Sequence, residues 1–366
     1  MVKEKSVIFD AKFLAAGKQF GIKRDSEAFL NEFIQNNWHL SILSFKGLNL
    51  DFEKSDKDIP EIHVRKSVRT HILLSVILGS SIKLESPPAS IYFLSQISPS
   101  KVTSKNQQIN RVIRVHDLFP LTNPEWFTDR SKLTFKAGWK SLNESDTLIA
   151  NSLYTKNNLL EYLGNRIRPE NVRVIPCPPT NLTNSKPCSK CDFCKNKLDF
   201  GVFLLSVGTI EPRKNYLRLI SAWKNAGLSY LNINLVVVGN VGWKSKESSR
   251  ALINTLGVIH LQGICDYGLG DLYSKARAYI SVSLDEGFNI PVQEAITSSL
   301  PLILSDIPVH RELMSGANAA WVNPQSTESI TYAIKSLGTH KSYEVAKDQS
   351  VDFSTSFADV FNDRFC

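Results

Sequence analysis

Short apolar runs recur along the chain with longer amphipathic stretches between them. In the first half they fall at Ser6 to Asp10, His39 to Phe45, Ile91 to Ser95, Val112 to His116, Thr147 to Asn151 and Val172 to Pro176. Strand-length runs alternating with helical patterns predict an α/β fold with a doubly wound parallel sheet. The segment from Pro176 to Lys197 breaks the rhythm with prolines, polar residues and clustered cysteines, as a linker does. A second alternation then follows, at Phe203 to Val207, Leu235 to Val238, His260 to Gln262, Tyr279 to Ser283 and Leu302 to Ser305. Two Rossmann-like halves are expected, with ligands in a cleft between them. The expected boundaries are a first domain over 1–178, a linker over 179–199, a second domain over 200–345 and a helical, aromatic-rich tail over 346–366.

With 366 residues, 42% of them hydrophobic, the chain can build two proper cores. Its longest apolar run, Ile72 to Leu78, is far too short to span a bilayer, and Met1 to Lys5 leads into a strand without a signal-peptide pattern. A cytoplasmic protein is expected. The net charge of +8 suggests attraction to polyanions or an acidic leaflet. Lys132, Lys136, Trp139 and Lys140 interleave cations with an aromatic, as would suit peripheral attachment to the inner face of a membrane or an anionic acceptor; a solvated helix face is the alternative. Helix-turn-helix and RNA-binding signatures are lacking, so nucleic acid is not an expected partner.

Cysteine usage adds one local feature, Cys188-x2-Cys191-x2-Cys194. Thiolates at this spacing can chelate zinc or iron around a tight loop, but a structural zinc site wants four ligands. Cys177 is the candidate fourth ligand. The alternative is a reduced, exposed linker without metal.

Candidate chemistry gathers at the ends of three predicted strands. Asp285-Glu286-Gly287-Phe288-Asn289-Ile290-Pro291-Val292-Gln293-Glu294 follows the strand at Tyr279 to Ser283 and sets two glutamates across a turn that opens a helix. Gly287 permits the turn and Pro291 suits the first position of a helix running through Ala295 and Ile296. The amides of Ile290, Val292 and Gln293 and the helix dipole suit a diphosphate, Glu294 a ribose diol and Glu286 a sugar. A glutamate in a first helical turn also occurs for dipole reasons alone. Gly208-Thr209-Ile210-Glu211-Pro212-Arg213-Lys214-Asn215 places two cations beside a glycine turn at a helix start, where cations oppose the dipole and an anionic partner accounts for them better than an exposed basic loop. His116 and Asp117 end a first-half strand, with a sugar hydroxyl or a core histidine satisfied by Asp117 as the alternatives. The loop from Gly17 to Arg24, with Gly21, has amides that could reach the same diphosphate, or is a plain turn.

Over nearly its whole length the chain resembles the retaining, GT-B-fold glycosyltransferases of glycosyltransferase family 4. The marks are EGFNIPVQEA with LPLILSDIPVHRELM after it, VGTIEPRKN, HDLFPLTNPEWF and LIANSLYTKNNL, which look similar to bacterial mannosyl- and rhamnosyltransferase-like enzymes of surface-polysaccharide assembly. The resemblance implies that Glu286 contacts the donor sugar, Glu294 the ribose, Lys214 the diphosphate and His116 the sugar hydroxyls, with Arg213 neutralising the departing charge. Expected donor-binding residues are thus Glu294, Gly208, Thr209, Gly287, Phe288, Asn289, Ile290, Pro291, Val292 and Ile264, and the expected acceptor side is Gly17, Gly21 and Asp117. Thr209 stands where many members have arginine, Asn289 replaces a glycine, the first loop lacks a glycine pair, and the cysteine cluster is outside the family pattern.

These readings converge on an enzyme that moves a hexose from a nucleoside diphosphate sugar, by resemblance GDP-mannose, to a glycan or lipid-linked acceptor with retention of configuration. No cofactor is required if Arg213 and Lys214 neutralise the leaving group, the cysteine cluster being the candidate for structural zinc. A non-catalytic sugar-nucleotide-binding scaffold is the alternative from another class, and a nucleotide-sugar epimerase is a second.

Overall fold

The computed structural model describes residues 5–14, 20–50, 59–84, 89–106, 108–178, 180, 182, 185–188, 191–196, 199–314, 318–339 and 356–361. Its chain forms two compact units. One comprises Met1–Pro124, Asp129–Pro178 and Val351–Cys366, and the other Glu125–Thr128 and Pro179–Ser350.

The first unit is built on a seven-stranded sheet of β1 (Ser6–Asp10), β2 (His39–Phe45), β3 (Glu61–Val64), β5 (Ile91–Leu94), β7 (Asn110–Val115), β8 (Thr147–Ala150) and β9 (Val172–Val174), with β4 (Ile82–Lys83) and β6 (Val102–Thr103) paired separately. The order is β3-β2-β1-β5-β7-β8-β9, and every pairing is parallel. Val7 and Phe9 face one core cluster and Ile8 the other, so successive residues of a single strand serve both faces. The C-terminal segment 356–361 is helical and joins the first of these clusters. Phe357 and Phe361 lie 5.0 and 4.9 Å from the Phe33 ring and are fully buried. Burying the two rings contributes roughly 3–6 kcal/mol before entropy is counted, which gives the aromatic tail its destination.

The second unit carries β10 (Val202–Val207), β11 (Ile233–Val238), β12 (Val258–Leu261), β13 (Ala278–Ser281), β14 (Leu302–Ser305) and β15 (Ala320–Val322) in the all-parallel order β12-β11-β10-β13-β14-β15. Leu204 and Phe203 again divide between two clusters, as do Leu235 and Val236. The chain leaves β10 toward β11 on one side and returns to β13 on the other, so the order reverses between β10 and β13. At such a switch point the loops beyond the carboxyl ends of the two strands diverge and leave a crevice. Close approach is enforced at the end of β11, where a Cβ on Gly239 would stand 1.9 Å from the Gly208 carbonyl oxygen.

The segment expected as a linker differs from expectation in its described part. Leu182, Cys191 and Phe193 are buried in the second unit's core with Phe203, Leu205 and Leu272. Among the described residues, no helix is long and apolar enough to cross a membrane.

Candidate active site

The loops after β10 and β13 flank the switch point of the second unit, and they are tied together by backbone and side chains. Leu284 N–H donates to the Arg213 carbonyl at 2.8 Å. Asn215, left-handed at φ +61, ends the turn Pro212–Lys214 and opens the helix Tyr216–Ala226. Its Nδ2 donates to the Val282 carbonyl at 3.0 Å and the Pro324 carbonyl at 2.7 Å. Asparagine suits this place because it tolerates the left-handed region and brings two donors into a loop junction.

Glu286 is buried between the two cations of the first loop. Lys214 Nζ is 2.7 Å from its Oε1, and Arg213 Nη1 pairs with its Oε2. Arg213 also donates to the Asp285 carbonyl at 3.0 Å and, through Nη2, to Glu211 Oε1 at 2.7 Å. Burial alone would raise the Glu286 pKa, but the charges of Arg213 and Lys214 overcome it and bring the value down to about 2. The stem of Lys214 passes over Gly208, where a Cβ would meet its Cε at 3.0 Å. Lys214 is therefore placed beside the glycine turn, as expected. The Arg213 fork faces two carboxylates and a carbonyl, which makes it a holder of Glu286 before it is a grip for phosphate.

Glu294 lies in the helix Ile290–Thr297 and is buried, accepting from Tyr273 Oη–H at 2.9 Å. The same Oη lies 3.0 Å from the Pro291 carbonyl, so its one proton is shared between the carboxylate and the first turn. Asn289 caps this helix at φ +78, in the left-handed region a glycine would occupy freely, and Nδ2 contacts Ser281 Oγ at 3.1 Å and His310 Nε2 at 2.8 Å. Asn289 Nδ2 can only donate, which makes His310 Nε2 the acceptor and puts the proton on Nδ1, aimed at the Ser305 carbonyl at 2.9 Å. Burial pushes the His310 pKa down to about 4, against the opposing pull of Glu286. One expected donor is not available here: the Val292 amide donates to the Asn289 carbonyl at 3.0 Å. Phe288 and Val292 are buried, and Ile264 packs against the apolar cluster beside Cys265.

In the first unit, His116 follows β7, and its Nε2 lies 2.9 Å from the Ser95 carbonyl. Burial lowers its pKa while Asp25, 3.8 Å away, opposes the shift. A neutral ring donating from Nε2 keeps its lone pair on Nδ1. The satisfied-core alternative thus has a different partner from the one expected, because Asp117 instead accepts from the Phe119 amide at 3.2 Å. Beneath His116 lies a pair that sequence reasoning missed. Arg114, fully buried in β7, binds both oxygens of Asp25 at 2.8 Å and the Ala150 carbonyl at 3.1 Å. An arginine flanked by Ile113 and Val115 inside an apolar strand was the available signal. Gly21 lies exposed in the helix Phe20–Gln35, and Gly17 lies outside the described residues.

Of the expected basic stripe, Lys132 pairs with Asp129 at 2.6 Å, and Trp139 is half-buried, with Phe135 and the Arg166 guanidinium over it. Cys177, the expected fourth ligand, is not in the group that the other three cysteines form. It lies in the first unit, 3.5 Å from Arg114 Nη2. The sulphurs of Cys188, Cys191 and Cys194 do come together, and the fourth among them is that of Cys265.

Residues 195–349 match the family described as Glycosyl transferases group 1. The chain is 28% identical over 240 residues to the serotype-specific mannosyltransferase WbdA of Escherichia coli, an alignment covering 60% of this chain and 29% of that protein. It is 31% identical over 231 residues to the O-antigen chain mannosyltransferase RfbU of Salmonella typhimurium, covering 62% of this chain and 61% of the relative. The chain thus spans under a third of the WbdA length and about three-fifths of RfbU. Among solved structures, WaaG, a glycosyltransferase involved in lipopolysaccharide biosynthesis, superposes with a TM-score of 0.60 at 18% identity over 91% of this chain and 90% of that one. A sucrose-phosphate synthase from Thermosynechococcus elongatus gives 0.61 at 15% identity, over 92% of each chain.

Proposed function

We propose that this chain, which has the GT-B fold and belongs through residues 195–349 to the glycosyl transferases group 1 family, moves a mannose-type hexose from a GDP-sugar to a glycan or lipid-linked acceptor of surface-polysaccharide assembly. The observation that carries the reading is the buried Glu286, held ionised between Arg213 and Lys214 where the loops of β10 and β13 meet. Mannose as the sugar follows the mannosyltransferase activity for which WbdA and RfbU are named.

In this reading the leaving diphosphate lies beside Lys214, which neutralises charge as the bond to the sugar breaks. Glu286, ionised at neutral pH, accepts hydrogen bonds from sugar hydroxyls and strengthens them as the ring becomes cationic. Glu294 accepts from the ribose diol, its orientation fixed by Tyr273. Retention follows if the departing diphosphate takes the acceptor proton on the same face, a step that asks for orientation and positive charge and needs no separate protein base. A basic surface suits an acceptor displayed at an anionic leaflet.

The test is incubation of the purified chain with a panel of nucleoside diphosphate sugars and polyprenyl-linked saccharide acceptors. The expected result is transfer from a GDP-hexose, with the product anomer read by NMR. Absence of both binding and turnover with every donor overturns the reading, and nucleotide binding without turnover supports a scaffold.

A further inference from the structure

A second constellation in the second unit is built from residues outside the loops after β10 and β13. Cys188, Cys191 and Cys194 are brought in by the segment before β10, the last two flanking the start of the short helix Asp192–Asn196. Cys265 comes from the loop after β12 and caps the helix Asp266–Lys275. All four sulphurs lie within 4.8 Å of one another, with Cys191 and Cys194 each 3.4 Å from Cys265. A tetrahedral zinc with bonds of about 2.3 Å sets its four thiolates about 3.8 Å apart, in the middle of this range. An iron–sulphur cluster interposes several atoms between its thiolates and needs a wider cage.

Backbone donors are placed as a thiolate centre requires. The Cys191 amide lies 3.3 Å from Cys188 Sγ, and the Gly268 amide 3.5 Å from Cys265 Sγ. The two pieces of chain fit closely, since a Cβ on Gly268 would meet Phe193 at 2.8 Å, and one on Gly270 would meet the Leu182 carbonyl at 3.0 Å. Among the described residues, no strand pairing fixes this small apolar contact. A metal would close a loop from Cys194 to Cys265 and clamp the segment onto the helix.

We propose that Cys188, Cys191, Cys194 and Cys265 form a structural four-thiolate zinc site that fastens the chain at Cys188, Cys191 and Cys194 to the helix Asp266–Lys275. A closed site with four protein ligands leaves no open position for substrate, so its role is stability. Three ligands are close in sequence, and the fourth is 71 residues beyond Cys194.

The chain, purified without chelator, is expected to contain about one zinc per molecule by mass spectrometry of the metal. Exchange into cobalt(II) should give the intense visible absorption of tetrahedral four-thiolate cobalt. The variants Cys265→Ser and Cys188→Ser should lose stoichiometric zinc, while Cys177→Ser keeps it. Removing zinc from the parent chain should expose four further thiols to a titrating reagent and lower Tm. If a variant does not fold, the cobalt spectrum of the parent still decides. Sub-stoichiometric metal with no cobalt spectrum overturns the proposal, as does a disulfide among these cysteines in freshly purified protein. Iron in place of zinc overturns the assignment of the metal.

Discussion

Replacing Glu286 by glutamine should separate the electrostatics of the site from its catalysis. The carboxylate's pKa is held at about 2, against an ordinary 4.5. A gap of about 2.5 units is worth roughly 3 kcal/mol of preference for the charged form, at about 1.4 kcal/mol per unit. The Glu286→Gln variant gives up that interaction at neutral pH, and of the two largely buried cations Arg213 keeps Glu211 while Lys214 loses the charge of Glu286. For a unit of this size such a loss lowers Tm by roughly 6–12 °C. A nucleoside diphosphate supplies the missing negative charge and should bind the variant more tightly than the parent. Tenfold tighter binding at saturating ligand adds about 1.4 kcal/mol, or roughly 3–6 °C of extra thermal shift. The assay is differential scanning fluorimetry with and without GDP and UDP, beside a transfer assay in which turnover is lost. An unchanged Tm, or a nucleotide shift no larger in the variant, refutes the ion-pair account. Full turnover refutes the sugar-contacting role.

Glu294→Gln should act on donor affinity, raising donor KM about tenfold through one weakened charge-assisted hydrogen bond, with kcat little changed; lost turnover at constant KM contradicts the ribose assignment. Tyr273→Phe should shift KM in the same direction by less. The His310 pKa of about 4 makes the folded chain refuse a proton that the unfolded chain takes up below its ordinary 6.5. Stability is therefore intact above pH 6.5 and falls between 6.5 and 4, by about 2 kcal/mol at pH 5. Urea midpoints at pH 7.5 and 5.0 measure the loss, and His310→Gln should flatten it. Gly239→Ala, with its Cβ 1.9 Å from the Gly208 carbonyl, should prevent the loop after β10 from seating and abolish soluble expression.

The inner strands were legible because a parallel strand covered on both faces is a largely apolar run. Of the strands missed, Ile82–Lys83 and Val102–Thr103 are two residues long, too short for a pattern, and Glu61–Val64 and Ala320–Val322 lie at sheet edges, where the half-exposed EIHV carries polar residues an inner strand would exclude. Both loops of the candidate site could be read from glycine and charge placement. Their pairing could not, because Glu286 stands 73 positions from Arg213, and local spacing is silent about such contacts. Cys265 escaped for the same reason: a single cysteine far along the chain has no spacing to betray it. Asn215 and Asn289 carried a weaker signal, each falling where a helix start calls for a left-handed residue.

Charge balance explains why the site presents an ion pair before any donor arrives. Arg213 and Lys214 face Glu286 and Glu211, so the side chains of the cluster sum to zero even though the chain as a whole carries +8. An uncompensated pair of buried cations would cost several kcal/mol and would attract any polyanion. A neutral cluster avoids both, but it leaves a diphosphate to compete with Glu286 for Lys214. That competition eases when the donor's sugar hydroxyls take up Glu286, because the carboxylate then has other partners and Lys214 can turn to phosphate. Nucleotide and sugar thereby reinforce each other's binding, and an intact donor should bind more tightly than the same nucleoside diphosphate together with free hexose.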